Sequence, residues 1–252
     1  MNSAISALVL KEGGCLRCAL RLTGEISMAS YQTTPDTKCA CPFCLGILNP
    51  TQYTQQTIDS IQSFNSEFID YKFQVTLPPI IYLRHEWLLG KFKVSGIALD
   101  RIVEIKDAFK WVFSPVIGQI INKPFNINSE FRLNFTFECP ESNFEIEEFF
   151  NEFGGKKKES MLTVFKGINS ERIMNRFQVL KAYQVGLRVE CNLAPVYVTG
   201  NYLKLSRKVS QTPWSVEGDS EVLDSVQDCL GRVVCEEFNA SGCVLHASVV
   251  IN

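Results

Sequence analysis

Apolar and polar positions recur with two different periods along this chain, and each period predicts an element. From Thr51 to Phe64, Tyr53, Thr57, Ile58, Ile61 and Phe64 fall on one helical face, with Asn49-Pro50 as the entry. Phe73-Gln-Val75-Thr-Leu77 alternates and stops at Pro78-Pro79, which predicts a short strand. Between Leu99 and Ile121 the residues Ile102, Ile105, Phe109, Val112, Val116 and Ile120 form one stripe, so the longest helix is expected there, bent near Pro115. Arg132 to Glu138 is the cleanest strand, with one apolar and one polar face. Asn143 to Phe153 predicts a short acidic helix, and Glu171 to Leu180 another. Strands are expected at Gln184 to Glu190 and at Val196 to Tyr202. Gly154-Gly155 with Lys156 to Lys158 reads as an exposed loop, and the sequence shows no internal repeat. Helices interleaved with strands in this way predict an α+β (mixed α/β) fold.

Composition narrows the class. At 252 residues, 46% hydrophobic and 21% charged, the chain can bury an ordinary core as one large domain or two small ones. That argues against a disordered tail, a collagen-like repeat or a coiled-coil rod. No apolar run approaches the roughly 18 residues of a membrane span, so no membrane role is expected. The apolar stretch Ala4 to Leu10 lacks a basic flank and is cut short by Lys11 and Glu12, which argues against a secretory signal.

The net charge of -2 conceals an asymmetry. Lys156 to Trp214 holds eleven basic residues and three acids, a local charge of +8, and the remainder carries 14 basic and 24 acidic residues, or -10. A basic block on an acidic protein suggests an anionic partner, nucleic acid first; a solvated Lys/Arg face is the alternative.

Ten cysteines carry a sharper signal. Five precede residue 45, as Cys15-Leu-Arg-Cys18 and Cys39-Ala-Cys41-Pro-Phe-Cys44. Two C-x-x-C pairs separated by 22 residues match a structural zinc site, each tight turn aiming two thiolates at one tetrahedral ion. Pro42 stiffens the second turn, and Gly46 lets the chain leave it. Core cysteines, disulfides and a redox dithiol are the alternatives, and Cys39 competes with Cys41 as a ligand. A site closed by four thiolates has no open position for substrate, so its role would be architectural. Cys139, Cys191, Cys229, Cys235 and Cys243 share no spacing and read as packing residues.

Candidates for catalysis are thin. His85 and His246 lie far apart in dissimilar contexts, and no nucleophile elbow, zinc-protease, P-loop or dinucleotide motif occurs. Glu145, Glu147 and Glu148 belong to a run of solvated charge. More specific is Pro195 to Trp214, where a Gly200-Asn201 turn is followed by cations, hydroxyls and aromatics without an acid. Lys and Arg there can bind phosphates, while Tyr202 and Trp214 offer stacking faces for bases. The alternative is a strand, a turn and a buried Trp214.

Three stretches together resemble the tRNA pseudouridine synthase 10 family: C-x-x-C-A-L-R-L from Cys15, C-P-F-C-L-G-I-L from Cys41 to Leu48, and G-N-Y-L-K-L-S-R…Q-T-P-W from Gly200 to Trp214. The likeness runs from Cys15 to about Gly242. It implies a small four-cysteine zinc lobe over 1–50, packed on a THUMP-containing tRNA-binding α/β domain over 51–242. Cys15, Cys18, Cys41 and Cys44 become the zinc ligands. The RNA-facing residues become Asn201, Tyr202, Lys204, Ser206, Arg207, Lys208 and Gln211. The partner implied is tRNA, at its acceptor end and T-arm side; structural Zn2+ is the sole cofactor, with no organic one, and the protein is expected to be a monomer of nucleus and cytoplasm.

Members of the family convert T-loop uridines 54/55 of tRNA to pseudouridine with one aspartate in a C-terminal domain. After Phe238-Asn-Ala-Ser-Gly242 the family continues into an acidic and arginine-containing motif, whereas this sequence reads Cys243-Val-Leu-His-Ala-Ser-Val-Val-Ile-Asn252. Residues 243–252 are therefore set apart as a divergent tail, and no catalytic residue is nominated, Asp100, Asp107, Asp219, Asp224 and Asp228 included. The chain is expected to be the tRNA-binding part of such an enzyme without catalysis of its own. The alternative is a stand-alone zinc-stabilised RNA-binding module. Another THUMP-bearing tRNA enzyme is disfavoured by Q-T-P-W, and a protein-binding zinc adaptor by the basic block.

Overall fold

Strand β2, Phe131–Glu138, is central to a three-stranded sheet of order β1-β2-β3, and its alternation explains why it holds that place. Phe131, Leu133, Phe135 and Phe137 are all buried on one face. β1 (Lys72–Thr76) runs parallel to it, pairing Phe73 with Leu133 and Val75 with Phe135. β3 (Gly186–Leu193) runs antiparallel, pairing Val189 with Phe135 and Cys191 with Leu133. The opposite face is polar: Arg132 Nη1 donates to Gln74 Oε1 at 3.0 Å, and Asn134 Nδ2 to Asn192 Oδ1 at 2.6 Å.

The computed structural model describes residues 3–35, 41–64, 66–154, 161–177, 181–213, 224–238, 240 and 242–246. Helices α1 (Ser3–Lys11), α2 (Leu16–Leu22) and α3 (Met28–Thr33) precede a 3-10 turn at Pro50–Gln52 and α4 (Thr54–Gln62). After β1 come α5 (Pro79–Val94) and α6 (Ile105–Ile121); after β2 come α7 (Asn143–Phe153), α8 (Met161–Lys166) and α9 (Ser170–Arg176), and α10 (Val226–Phe238) follows β3. The fold is α+β. None of the described helices is long and apolar enough to cross a membrane.

The chain divides into two compact units, Met1–Phe64 with Phe68–Ala194, and Asn65–Glu67 with Pro195–Asn252. In the first, one hydrophobic core runs from Ile5 to Phe177 and includes the cysteine-bearing segments. In the second, α10 is capped by Ser225: its hydroxyl accepts from the Asp228 N–H at 3.1 Å and donates to the Asp228 carboxylate at 2.6 Å. That pairing holds the Asp228 carboxyl below the usual carboxylate range.

Two sequence expectations change here for identifiable reasons. The long helix begins at Ile105 rather than Leu99, because the Val103 N–H donates to the Arg21 carbonyl at 2.9 Å and is committed to α2. Pro115 does sit inside that helix, and it cannot donate to the Trp111 carbonyl. Gln32 Nε2 reaches that oxygen instead, at 3.3 Å. The strand expected over Val196 to Tyr202 does not form: residues 194–206 carry no regular structure, and a lone extended segment has no ladder to join. Of the Lys156 to Lys158 loop and the end of the 171–180 helix, residues 155–160 and 178–180 lie outside the described residues.

Helix α5 was not expected from periodicity at all. Ile80, Ile81, Leu83, Arg84, Glu86, Trp87, Leu88, Gly90 and Phe92 are all buried, so apolar and charged residues share its covered faces and no clean polar stripe reveals it. Some of its polar atoms find partners inside, while Arg84 Nε and Nη1 are buried without a hydrogen bond. Glu145, read in the sequence as solvated charge, is instead buried as one of those partners. Arg84 Nη2 lies 2.8 Å from both Glu145 oxygens, the Tyr183 hydroxyl donates to Glu145 at 2.5 Å, and the Trp87 indole donates to the Phe177 carbonyl. Burial pulls the Arg84 guanidinium below its ordinary range, and Glu145 opposes that pull. Gly90 lets α9 approach: a Cβ there would lie 2.4 Å from the Ser170 carbonyl oxygen.

Two outcomes follow from this packing. Glu145→Ala leaves Arg84 buried and unpaired, and should cost about 3–5 kcal/mol, seen as a lowered Tm by calorimetry; an unchanged Tm would show the pair to be dispensable. Gly90→Ala should destabilise by about 1–3 kcal/mol through overpacking, measured by urea unfolding, with Ser95→Ala at the exposed end of α5 as the neutral comparison.

Candidate metal centre

Gly13 and Gly14 deliver the first cysteine pair. Gly13 adopts φ +83°, and a Cβ on Gly14 would meet Val9 Cγ1 at 2.5 Å, so the chain turns tightly from α1 into Cys15. Cys15 is the N-cap of α2, extended at φ -83° and ψ 164°, and its sulfur accepts from the Cys18 N–H at 3.4 Å. The first C-x-x-C is thus a helix start, which places residues 15 and 18 on one side. The second is a turn. The Leu45 N–H donates to the Cys41 carbonyl at 2.7 Å and the Ile47 N–H to the Cys44 carbonyl at 2.9 Å. Leu45 (φ 51°) and Gly46 (φ 79°) take left-handed conformations that carry the chain away.

These two turns bring four thiols together. Cys15 Sγ lies 3.7 Å from Cys44 Sγ, Cys41 Sγ lies 3.7 Å from Cys18 Sγ, and all four sulfurs lie within 4.8 Å of one another. None of these cysteines is in a disulfide. A tetrahedral ion with bonds of about 2.3 Å to sulfur places its ligands about 3.8 Å apart, close to the spacing seen. All four residues are buried, Cys15 most exposed at 7%. The Cys15 N–H also donates to Cys41 Sγ at 3.3 Å.

The thiols influence one another strongly. Hydrogen bonds from Cys15, Cys18 and Cys44 draw the Cys41 thiol down, while hydrogen bonding with Cys15 pushes Cys18 and Cys44 up. One thiolate is readily held in this pocket; four require a cation at the centre. The residues present therefore fit a metal ion, and they leave it no open face. Cys39, the rival ligand, lies outside the described residues.

Two arginines of α2 support the cluster and were not singled out by the sequence. Arg17 is buried and donates to three carbonyls: Nε to Tyr31 at 3.2 Å, Nη1 to Leu48 at 2.7 Å and Nη2 to Thr34 at 2.5 Å. It ties the end of the second cysteine turn to α3. Arg21 donates to the Val103 carbonyl at 3.3 Å. Their signal was available: two cations on a seven-residue helix otherwise made of Leu, Cys and Ala.

The basic block resolves differently in its two parts. Within the first unit two of its described cations meet acids: Arg176 pairs with Glu148 and, at 3.6 Å, with Glu152, and Arg188 with Glu138 at 3.4 Å and Glu190 at 3.7 Å. In the second unit Asn201, Tyr202, Lys204, Ser206, Arg207 and Lys208 lie on an exposed stretch, and the three cations make no ion pair among the described residues. Gln211 Nε2 donates to the Tyr202 hydroxyl, and the Lys208 N–H donates to Ser206 Oγ at 3.2 Å. Trp214 lies outside the described residues. His85, in the first unit, lines a cleft of about 300 Å³ with Glu86, Glu104, Asp107 and two lysines. His246 belongs to the second unit and is exposed.

Comparison with known proteins agrees with this division. A family model described as "Eukaryotic Pus10, N-terminal" matches residues 41–185, and one described as "Pus10, C-terminal" matches residues 197–249. The second match includes residues 243–249, the start of the stretch that the sequence set apart. The chain is similar to a protein of Homo sapiens named "tRNA pseudouridine synthase Pus10", 27% identical over 246 residues that cover 86% of this chain and 46% of that one. The Mus musculus protein of the same name is 28% identical over 244 residues, covering 87% and 46%. That of Xenopus laevis is 26% identical over 227 residues, covering 80% and 44%. The chain spans about half the length of these relatives. With the N-terminal model alone matching more than half of the sequence, the chain belongs to the Pus10 family.

Proposed function

We propose that this chain serves tRNA pseudouridine synthesis as a tRNA-binding part stabilised by structural zinc. The observation that carries the reading is the family match over residues 41–185, together with relatives named as tRNA pseudouridine synthases. The stretch spanned here is assigned binding rather than isomerisation. Among its aspartates, Asp107 engages Lys110 at 3.3 Å, Asp224 engages Arg232 at 2.5 Å, and Asp228 is spent in the cap of α10. Its place of work is the nucleus and cytoplasm, as a monomer.

Zinc is the ion that the four thiolates favour, since soft sulfur ligands in a closed tetrahedral set select it over magnesium or calcium. Bound there through Cys15, Cys18, Cys41 and Cys44, it would cross-link the start of α2 to the turn at 41–48. The RNA contact is assigned to Asn201, Tyr202, Lys204, Ser206, Arg207, Lys208 and Gln211. Lysine and arginine would neutralise phosphates there, and the Tyr202 ring would stack on a base of the single-stranded acceptor end. A THUMP-containing domain over residues 51–242 fits the same reading, and the polar sheet face of Gln74, Arg132, Asn134 and Asn192 lies within it.

Cys15→Ser and Cys44→Ser should lower zinc content from about one per chain and lower Tm together, because metal binding and folding are linked. Zinc stoichiometry by atomic absorption that stays at the wild-type value would remove the assignment. Arg207→Ala and Lys208→Ala should each weaken tRNA binding and reduce the slope of log affinity against log salt by roughly 0.7 to 0.9. Filter binding of intact tRNA against tRNA lacking its single-stranded 3′ end tests the site of contact. Tighter binding of the intact form is the expected result, and equal binding counts against the acceptor end.

A further inference from the structure

Arg21 is 1% exposed, and its surroundings do not balance its charge. One nitrogen donates to the Val103 carbonyl at 3.3 Å. Its Nε and Nη2 are buried without a hydrogen-bond partner, and no carboxylate stands within ion-pair distance of it among the described residues. Arginine does not shed its proton in proteins, so the group stays cationic. A buried cation left unpaired is strongly unfavourable.

The other buried arginines of the fold differ in what answers their charge. Arg84, equally buried and also with two nitrogens free of hydrogen bonds, has a carboxylate: Glu145 lies 2.8 Å from its Nη2 through either oxygen. Arg17, one turn from Arg21 on α2, has three carbonyls. Arg21 has one carbonyl and lies three residues beyond Cys18, on the same side of the helix. Burial pushes the Tyr31 phenol up; Arg21 draws it down, and Glu25 and then Cys18 push it up, so cation, carboxylate and thiol all act on one hydroxyl. Four thiolates around a divalent ion carry a net charge of about -2 in a site sealed from water. This is the anion that Arg21 lacks.

We infer that Arg21 is the buried counter-charge of a divalent ion held by Cys15, Cys18, Cys41 and Cys44, and hence a positioning residue for that ion. The inference rests on the zinc reading above. It has a structural consequence, because Arg21 also grips Val103 from both directions: the side chain donates to the Val103 carbonyl, and the Arg21 carbonyl accepts the Val103 N–H at 2.9 Å. Val103 lies two residues before α6. Metal occupancy and the seating of α6 on α2 therefore share one side chain. Filling the site settles Arg21, and Arg21 settles the approach to α6.

The test uses the full chain loaded with Zn(II), following zinc release to excess chromophoric chelator. Arg21→Met and Arg21→Gln should release zinc about tenfold faster or more, the loss typical when a group supporting a metal's ligands is removed. Arg21→Lys, which keeps the charge, should stay close to the wild-type rate. Gly90→Ala, destabilised by packing with no change of charge, should also stay close to it. Two neutral replacements are used so that either folded variant gives the answer. Neutral variants that release zinc at the wild-type rate would overturn the inference, as would Gly90→Ala matching their acceleration. A wild-type chain that holds no zinc at all would overturn the zinc reading itself, and this inference with it; the metal content of the wild type separates that failure from the other.

Discussion

Four thiols in mutual contact, sealed from water, are a constraint before they are a site. Sulfur pairs at 3.7 Å can be bridged by shared protons or by a metal ion, and the proton-sharing arrangement leaves Cys41 far easier to ionise than Cys18 or Cys44. A cation removes that inequality, since each thiolate then faces the same charge. Everything around the cluster is consistent with serving that end. Gly13 and Gly14 bend the chain so that Cys15 can cap α2, Leu45 and Gly46 turn left-handed to lead the chain out, and Arg17 fastens the exit at Leu48. Backbone that would otherwise be a set of loops becomes part of the core that ends at Phe177.

That core is organised by an element of the opposite kind, a helix buried over most of its surface. The polar side chains on its buried faces, Arg84 and Glu86, must be answered internally. Glu145 answers Arg84, and the Ser170 hydroxyl answers Glu86 at 2.8 Å. The partners come from α7 and α9, so polar satisfaction and helix placement are the same event. Gly90 sets how near α9 can come, and Lys93 pairs with Glu171 at 3.2 Å at the exposed end of the same contact. The exposed pair contributes little beside the buried one.

What the sequence makes legible follows from this difference. β1, β2, α4, α6 and α7 each have one face in the core and one outside, and their apolar periodicity reported them, α7 to the residue. α5 is buried over most of its surface, α1 is apolar nearly throughout, and α2 and α3 are short, so period carried no signal for them. The strand read at 196–202 shows the converse error. Alternation states that a segment could sit half-buried on a sheet, and it cannot supply the neighbouring strand. The cysteine pairs were legible because ligand geometry is written in spacing. That the first pair would be a helix start rather than a loop turn was not, since either places thiols at i and i+3 on one side.

Charge along a chain is a poor guide to charge in space, and here the difference sharpens the functional reading. The run of +8 between Lys156 and Trp214 is divided between the two units. Arg176 and Arg188 stand beside Glu148, Glu152, Glu138 and Glu190, acids contributed by α7, β2 and β3, so their fields are largely cancelled at home. Lys204, Arg207 and Lys208 are exposed on a stretch where acids are absent from Ala194 to Pro213. Among the described residues, the cations that stand together without an acid, Lys204, Arg207 and Lys208, lie within about ten residues. Those ten also carry the hydroxyls and the Tyr202 ring, with Gln211 bonded back to that tyrosine. A phosphate-and-base surface needs cations, donors and a π-face within a few nucleotides of one another, and that short stretch holds all three.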